Sequence, residues 1–410
     1  MRTTRTASAR VRPTDEAHQV TTLELFFDLV FVFAFTQVTQ LMAADPTWSG
    51  ALRGLVLLAL LWWAWCSYAW LGNQAHADEG LVRATVVVAM AAMFIVALTI
   101  PESFVDLPGG LFAPFVLAAC YAVVRLGHLA CYLVAAGGDA GLRRQLQLTA
   151  IPVSGAAALL VAGGALGPPY QTALWALALL IDYAGIWVTG TTGWRLPSPT
   201  HFAERHGLIF IVALGESLVA IGVGVAARPV SAAVIVASVL GIVVAVSLWW
   251  LYFDVVAHVA EEVLSRTQGE ARSRLARDSY TYLHFPIVIS IIFIALGLKK
   301  ILEYVADTAG HDLSDALTGV PLIALYGGVA VHLLGHVAFR RRNVGTWNPH
   351  RSAVALALVL LLPVAWQLPA LASLALVAGL LTALVGYEVL RFGDARDRVR
   401  HHPVEPPVTL

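Results

Sequence analysis

Residues 230–252 read VSAAVIVASVLGIVVAVSLWWLY and contain no charged side chain. About 20 mainly apolar residues let an α-helix cross the hydrocarbon core of a bilayer. Similar runs recur along the chain, and they are apolar on every face, which favours helices over the alternating strands of a membrane barrel. We therefore predict an all-α, polytopic membrane protein with about 12 transmembrane helices. Their expected spans are 20–42, 52–71, 83–100, 111–135, 145–164, 171–192, 206–226, 230–252, 280–299, 317–339, 352–367 and 370–391.

The composition supports a membrane location and argues against a soluble domain or a nucleic-acid-binding protein. The 410 residues are 59% hydrophobic and 13% charged, whereas about a quarter of the residues of a soluble domain are charged. The formal net charge is zero, so the chain has no basic field that would attract a polyanion. We therefore expect the lipid bilayer as a partner and no nucleic acid. The sequence does not indicate an oligomeric state.

The distribution of positive charge predicts the orientation. With an even number of helices and the N-terminus inside, all but five of the 26 Lys and Arg residues fall in or beside inner segments. Positive residues accumulate in cytoplasmic loops, so both termini are predicted to be cytoplasmic. The five exceptions are Arg53, Arg125, Arg228, Lys299 and Lys300.

Weak internal similarity suggests two halves. Leu61-Trp62-Trp63 recurs as Leu248-Trp249-Trp250, six predicted helices later, which is typical of a parallel 6+6 repeat. Chance similarity between apolar segments is the alternative. The expected organisation is a cytoplasmic tail at 1–19, halves at 20–200 and 201–391 with a cytoplasmic linker at about 254–278, and a tail at 392–410. The last two spans are either two helices or one broken segment.

Arg125 lies near the middle of the fourth span, where an unpaired charge costs several kcal/mol. It therefore needs a buried acidic partner, for which Asp182 and Glu216 are the candidates. The pair either serves function or fixes helix register as a structural ion pair. Glu216, which follows Gly215 inside the seventh span, ranks first among the candidate site residues.

Glu24 and Asp28 are four residues apart, so they share one face of the first helix. Two neighbouring carboxylates suit the carriage of a proton, the binding of a cation, or the binding of a metal diphosphate. The alternative is an interfacial pair, or a cap on the first helical turn.

Histidines inside two spans are further candidates. His128 lies close to Arg125, and His332 and His336 are spaced to share one face of the tenth helix. A histidine pair can hold a transition metal or relay protons. The alternative is that these side chains are simply hydrogen-bonded within the helices.

Several motifs, in order along the chain, resemble those of the bacterial low temperature requirement protein A family. They are Glu24-Leu-Phe-Phe-Asp28-Leu-Val-Phe-Val-Phe, His201-Phe-Ala-Glu204-Arg205-His206-Gly207-Leu208 with Ala213-Leu-Gly215-Glu216-Ser217, Trp249-Trp250-Leu-Tyr252-Phe253-Asp254, and Tyr282-Leu-His284-Phe-Pro286. The resemblance implies a multi-pass protein of the bacterial inner membrane and implies no settled activity or cofactor. It marks seven positions without assigning them roles: Glu24, Asp28, Glu204, Arg205, Glu216, Asp254 and His284.

Three functions are compatible with these features. The first is a secondary transporter or permeation protein, in which Glu216, Asp182 and Asp28 bind a proton or cation and Arg125 balances charge or engages an anionic solute. The second is an intramembrane enzyme acting on a lipid or isoprenoid diphosphate. In that case Glu24, Asp28, Asp78 and Glu79 would hold magnesium. The third is a sensor or assembly factor for membrane stress or cold adaptation. We favour the transporter, with an unknown small molecule or ion as its substrate.

Overall fold

The computed structural model describes residue 14 and residues 18–226 and 228–393. These residues form fourteen α-helices and no β-strand, and an isolated bridge joins Ala316 to Pro369. The helices are α1 (Thr22–Ala44), α2 (Trp48–Gln74), α3 (Gly80–Thr99), α4 (Ala113–Ala135), α5 (Ala140–Leu166), α6 (Tyr170–Thr189), α7 (Pro199–Gly224), α8 (Ala232–Phe253), α9 (Val256–Arg266), α10 (Gly269–Leu275), α11 (His284–Ala306), α12 (Gly319–Val344), α13 (Pro349–Ala365) and α14 (Ala370–Arg391).

The prediction of an all-α, polytopic membrane protein is confirmed. Within the described part of the chain, eleven helical segments are long and apolar enough to cross a membrane. This count takes α8 with α9 as one segment and α10 with α11 as another. Helix α13 is a shorter apolar helix of 17 residues. It is separate from α14, so the last two predicted spans are two helices.

Local sequence signals explain several helix ends. The Asp139 side chain accepts the backbone N–H of Leu142 at the start of α5, and the Asn348 side chain accepts that of Arg351 at the start of α13. Such caps satisfy backbone donors that have no partner within the helix. At the C-terminal end of α12, Gly345 adopts a left-handed conformation with φ of 78° and ends the helix.

The chain divides into two compact units. The first comprises Met1–Val38, Arg53–Leu208 and Thr267–Arg277. Within it, α3, α4, α5 and α6 pack sequentially, each against the next. Helix α10 joins this unit because its Ser273 hydroxyl donates to the carbonyl of Trp194 at 2.9 Å.

The second unit comprises Thr39–Leu52, Ile209–Arg266 and Asp278–Leu410. In it, α11 packs against α12, α12 against α13, and α8 against α14. The predicted linker at about 254–278 is largely helical, since it contains α9 and α10. The division into halves at 20–200 and 201–391 stays a prediction. The predicted tails at 1–19 and 392–410 lie mostly outside the described residues.

Candidate functional site

Four charged or ionisable side chains form two rungs between α1 and α7 in the first unit. Glu24 and Asp28 lie one turn apart on α1, and His201 and Arg205 lie one turn apart on α7. The Nε2 of His201 is 3.1 Å and 3.2 Å from the two carboxylate oxygens of Glu24. One turn further along, Nη2 of Arg205 donates to Oδ1 of Asp28 at 3.0 Å. All four side chains are buried, and we call them the α1–α7 ladder.

Neighbouring groups hold the two carboxylates of the ladder in place. The indole N–H of Trp65 donates to Oδ1 of Asp28 at 2.8 Å, and the backbone N–H of Thr21 donates to Oε2 of Glu24 at 2.9 Å. Gly72 permits the close approach of α2, because a Cβ at this position would collide with Oε1 of Glu24. The sequence therefore places a glycine where a carboxylate occupies the space of a side chain.

Asn73 determines which nitrogen of His201 carries a proton. The amide nitrogen of Asn73 lies 3.2 Å from Nδ1 of His201 and also donates to the carbonyl of Ser198. Because the amide nitrogen can only donate, Nδ1 of His201 accepts, and a neutral ring carries its proton on Nε2. That N–H then donates to Glu24, so the neutral His201 ring has a defined tautomer.

With neutral histidines, the charges of the ladder do not balance. Glu24 and Asp28 supply two negative charges, while Arg205 supplies one positive charge and lies 3.9 Å from Oε1 of Glu24. Among the described residues, Oδ2 of Asp28 and the Nε and Nη1 atoms of Arg205 have no hydrogen-bond partner. Buried charges and polar atoms are costly unless they are paired. The free carboxylate oxygen of Asp28 can therefore accept a cation, whereas the free N–H groups of Arg205 can only donate to an acceptor.

A second histidine adjoins the first rung. The ring of His18 lies 4.5 Å from that of His201 and 4.5 Å from that of His76, measured between centroids. One ligand atom each of His18, Glu24 and His201 lie within 4.8 Å of one another. Among the described residues, these three side chains are therefore close enough together to hold one metal ion.

The first unit contains one more buried ion pair. Nη2 of Arg125 is 2.7 Å from Oδ2 of Asp182, and each side chain is 4% exposed. Of the two proposed partners of Arg125, the structure therefore selects Asp182. Glu216 is also buried, but it belongs to the second unit, where Lys299 is close enough for electrostatic interaction. His128 is buried one turn after Arg125 on α4.

In the second unit, the predicted histidines have separate partners. The Tyr252 hydroxyl lies 2.8 Å from Nε2 of His284. Nδ1 of His332 is 3.1 Å from the carbonyl of Ile287, and Nδ1 of His336 accepts from Arg351 at 2.9 Å. The guanidinium beside His336 disfavours a second cation there, and in the described residues no third His, Cys, Asp or Glu ligand atom lies within 4.8 Å of both histidines. Metal binding by the His332–His336 pair stays a prediction.

A cavity of about 320 Å³ also lies within the second unit. Its lining includes Asp254, His336 and Arg351, and the Arg351 guanidinium is paired with Glu388 at 2.8 Å. Asp254 is thus at a cavity wall.

Glu204, by contrast, is exposed on α7 although it lies in the same motif as Arg205.

Sequence reasoning missed His18, His201, Trp65, Gly72 and Asn73 as parts of the site. One signal for His201 was available: His201 and Arg205 repeat the four-residue spacing of Glu24 and Asp28. An acidic pair on one helix and a basic pair at the same spacing on another predict that the two helices face each other. No comparable spacing pointed to the three residues on α2, which are 37 or more positions from Asp28 along the chain.

The fold and the buried charges together define a polytopic, α-helical membrane protein with ionisable groups inside its apolar segments. Residues 19–386 match the family model described as "Bacterial low temperature requirement A protein (LtrA)", and the chain belongs to this family. A relative from Rhizobium meliloti (strain 1021), "Uncharacterized protein RA0937", is 28% identical over 316 residues, which cover 74% of this chain and 75% of the relative. No solved structure matches the chain.

Proposed function

We propose that the protein is a secondary transporter or permeation protein of the bacterial inner membrane, in which the α1–α7 ladder binds the coupling proton or cation. The observation that carries the proposal is the charge imbalance of the ladder. Two carboxylates face one guanidinium in a site that is at most 3% exposed. Intramembrane charges of this kind are typical of ion pathways and proton relays.

The contacts of Asp28 indicate how occupancy would change the protein. Oδ1 of Asp28 accepts from both Trp65 and Arg205, whereas Oδ2 has no partner among the described residues. A cation bound at Oδ2 weakens the attraction of the carboxylate for Arg205. Binding would therefore loosen one rung between α1 and α7, which is the kind of differential contact that shifts a conformational equilibrium.

The position of the ladder along α1 suggests the side from which it is filled. Glu24 lies in the first turn of α1, which begins at Thr22. The excess of Lys and Arg in the predicted inner segments favours cytoplasmic termini. We therefore propose that the first rung lies near the cytoplasmic face and that the cation exchanges with that side.

Flux measurements on the purified protein test the proposal. The full chain is reconstituted into liposomes that contain a pH-sensitive or cation-sensitive dye, and a panel of cationic, anionic and neutral solutes is applied under an imposed gradient. We expect at least one solute to produce flux coupled to a proton or cation. Asp28→Asn should lose this coupling, while Glu204→Gln, which changes an exposed carboxylate on α7, should retain it.

Two results would contradict the proposal. Absence of coupled flux across the whole panel, in protein that stays folded and monodisperse, argues against transport. Equal coupling in the Asp28→Asn and Glu204→Gln variants argues that the ladder is not the cation site. Magnesium-dependent turnover of a prenyl diphosphate by the same preparation would favour the enzyme instead.

A further inference from the structure

The first rung of the ladder has the donor types of a transition-metal site. His18 and His201 offer imidazole nitrogens and Glu24 offers a carboxylate oxygen, all within 4.8 Å of one another. Two imidazoles and one carboxylate form the ligand set that commonly binds zinc with one position left open. Magnesium and calcium prefer sites built from oxygen atoms alone.

We propose that His18, Glu24 and His201 bind one divalent transition-metal ion of the zinc class. The inference rests on the proposed function and goes beyond it, because it places a metal ion at the first rung in addition to the cation that the proposed function places at Asp28. It stands or falls by a binding measurement that requires no transport. All three side chains are buried, so the ion would be enclosed by protein rather than held loosely at the surface.

The charge around the three ligands favours a cation. Asp28 lies one turn beyond Glu24, so two carboxylates meet the single guanidinium of Arg205. A divalent ion at the first rung adds the positive charge that this set lacks. Arg205 lies 3.9 Å from Oε1 of Glu24 and 3.0 Å from Oδ1 of Asp28, so it stays paired with Asp28 while Glu24 turns to the ion.

The hydrogen bond of Asn73 predicts what must change on binding. An ion at Nε2 of His201 requires the ring proton to move to Nδ1, which faces the amide nitrogen of Asn73 at 3.2 Å. The Asn73 amide must then turn away, which weakens binding. A carboxylate at this position would accept the proton on Nδ1, as acidic groups do behind many metal-bound histidines. Asn73→Asp is therefore expected to tighten metal binding by about tenfold.

Zinc binding to the full-length protein tests the proposal. The protein is purified in detergent without a polyhistidine tag, stripped with a chelator, and titrated with Zn²⁺ against a chromophoric competitor. We expect one tightly bound Zn²⁺ per chain. His18→Ala and Glu24→Gln should each weaken binding by on the order of 100-fold. His258→Ala, which removes an exposed histidine on α9, should leave binding unchanged. Co²⁺ in the same site should give the visible absorption of a tetrahedral or five-coordinate complex.

The results of these titrations distinguish a specific metal site from nonspecific binding of zinc. No tight Zn²⁺ site in the wild-type chain overturns the proposal, as does an equal loss of binding in His258→Ala. Weaker binding in Asn73→Asp would overturn the placement of the ion at Nε2 of His201. Tight binding without coupled flux in liposomes leaves the metal site standing and refutes transport, whereas coupled flux without Zn²⁺ binding does the reverse.

Discussion

Replacing Arg125 by methionine should strongly destabilise the first unit. The substitution leaves the Asp182 carboxylate buried at 4% exposure without the guanidinium that lies 2.7 Å away. Removing one partner of a buried ion pair typically costs about 3–5 kcal/mol. We expect a loss of this size, because both α4 and α6 are apolar helices that offer Asp182 no other cation among the described residues.

The geometry also predicts that removing both charges restores stability. The pair is joined through Nη2 and Oδ2 alone, while Nε of Arg125 and Oδ1 of Asp182 have no hydrogen-bond partner among the described residues. Each such buried polar atom costs about 1–3 kcal/mol. The double variant Arg125→Met/Asp182→Leu should therefore be as stable as the wild type, or more stable by about 1–4 kcal/mol.

Reversible unfolding in mixed micelles measures these differences as a double-mutant cycle. The free energy of unfolding is compared for the wild type, Arg125→Met, Asp182→Leu and the double variant. Two results refute the reasoning: single variants within about 1 kcal/mol of the wild type, or a double variant that loses the sum of both single effects. If the double variant is stable but loses coupled flux, the pair serves function as well as structure.

Three further predictions concern close contacts. Gly72→Ala should lower the free energy of unfolding by about 1–3 kcal/mol and weaken Zn²⁺ binding, because the new Cβ takes the place of Oε1 of Glu24 and displaces a buried, hydrogen-bonded carboxylate. Trp65→Phe should cost about 1.5–3 kcal/mol in unfolding experiments, because Asp28 loses a buried donor at 2.8 Å. Gly297→Ala should cost about 1–3 kcal/mol and lower the melting temperature, since its Cβ would lie 3.0 Å from a backbone carbonyl of α12.

Matched glycines provide the controls for two of these variants. Gly127 in α4 and Gly379 in α14 have open space where a Cβ would be added. Alanine at either position should be neutral or slightly stabilising, because alanine favours helix formation over glycine by about 1 kcal/mol. If Gly297→Ala were as stable as Gly379→Ala, the close packing of α11 on α12 would be contradicted. Zn²⁺ binding as tight in Gly72→Ala as in Gly127→Ala would contradict the role of Gly72.

The fold could be predicted because membrane insertion depends on local composition. An apolar run such as 232–253 specifies a helix whatever its neighbours are, so length and hydropathy located the spans. The partner of a buried charge depends instead on how helices pack. Arg125 required some carboxylate, and the sequence offered Asp182 and Glu216 with equal chemistry. Only the packing of α4 near α6 separates these two candidates.

The ladder could not be predicted for the same reason. Glu216 ranked first in the sequence because a carboxylate follows a glycine within an apolar segment, a feature of one helix alone. The ladder requires α1 and α7 together with the α2 residues that support them, so the two residues of each rung are 177 positions apart along the chain. Spacing within one helix reveals half of such a site. The other half is found only when a second helix carries a complementary pair at the same spacing.

Charge balance distinguishes the two buried clusters of the first unit. Arg125 and Asp182 neutralise each other, so their burial is explained without any ligand. In the ladder, Arg205 can neutralise Asp28 or Glu24 but not both, and the neighbouring histidines add charge only when they are protonated or bound to an ion. A structural role therefore accounts for the first cluster, whereas the second keeps one excess negative charge when its histidines are neutral. We propose that a bound cation removes this charge and so couples the buried network to the proposed transport cycle.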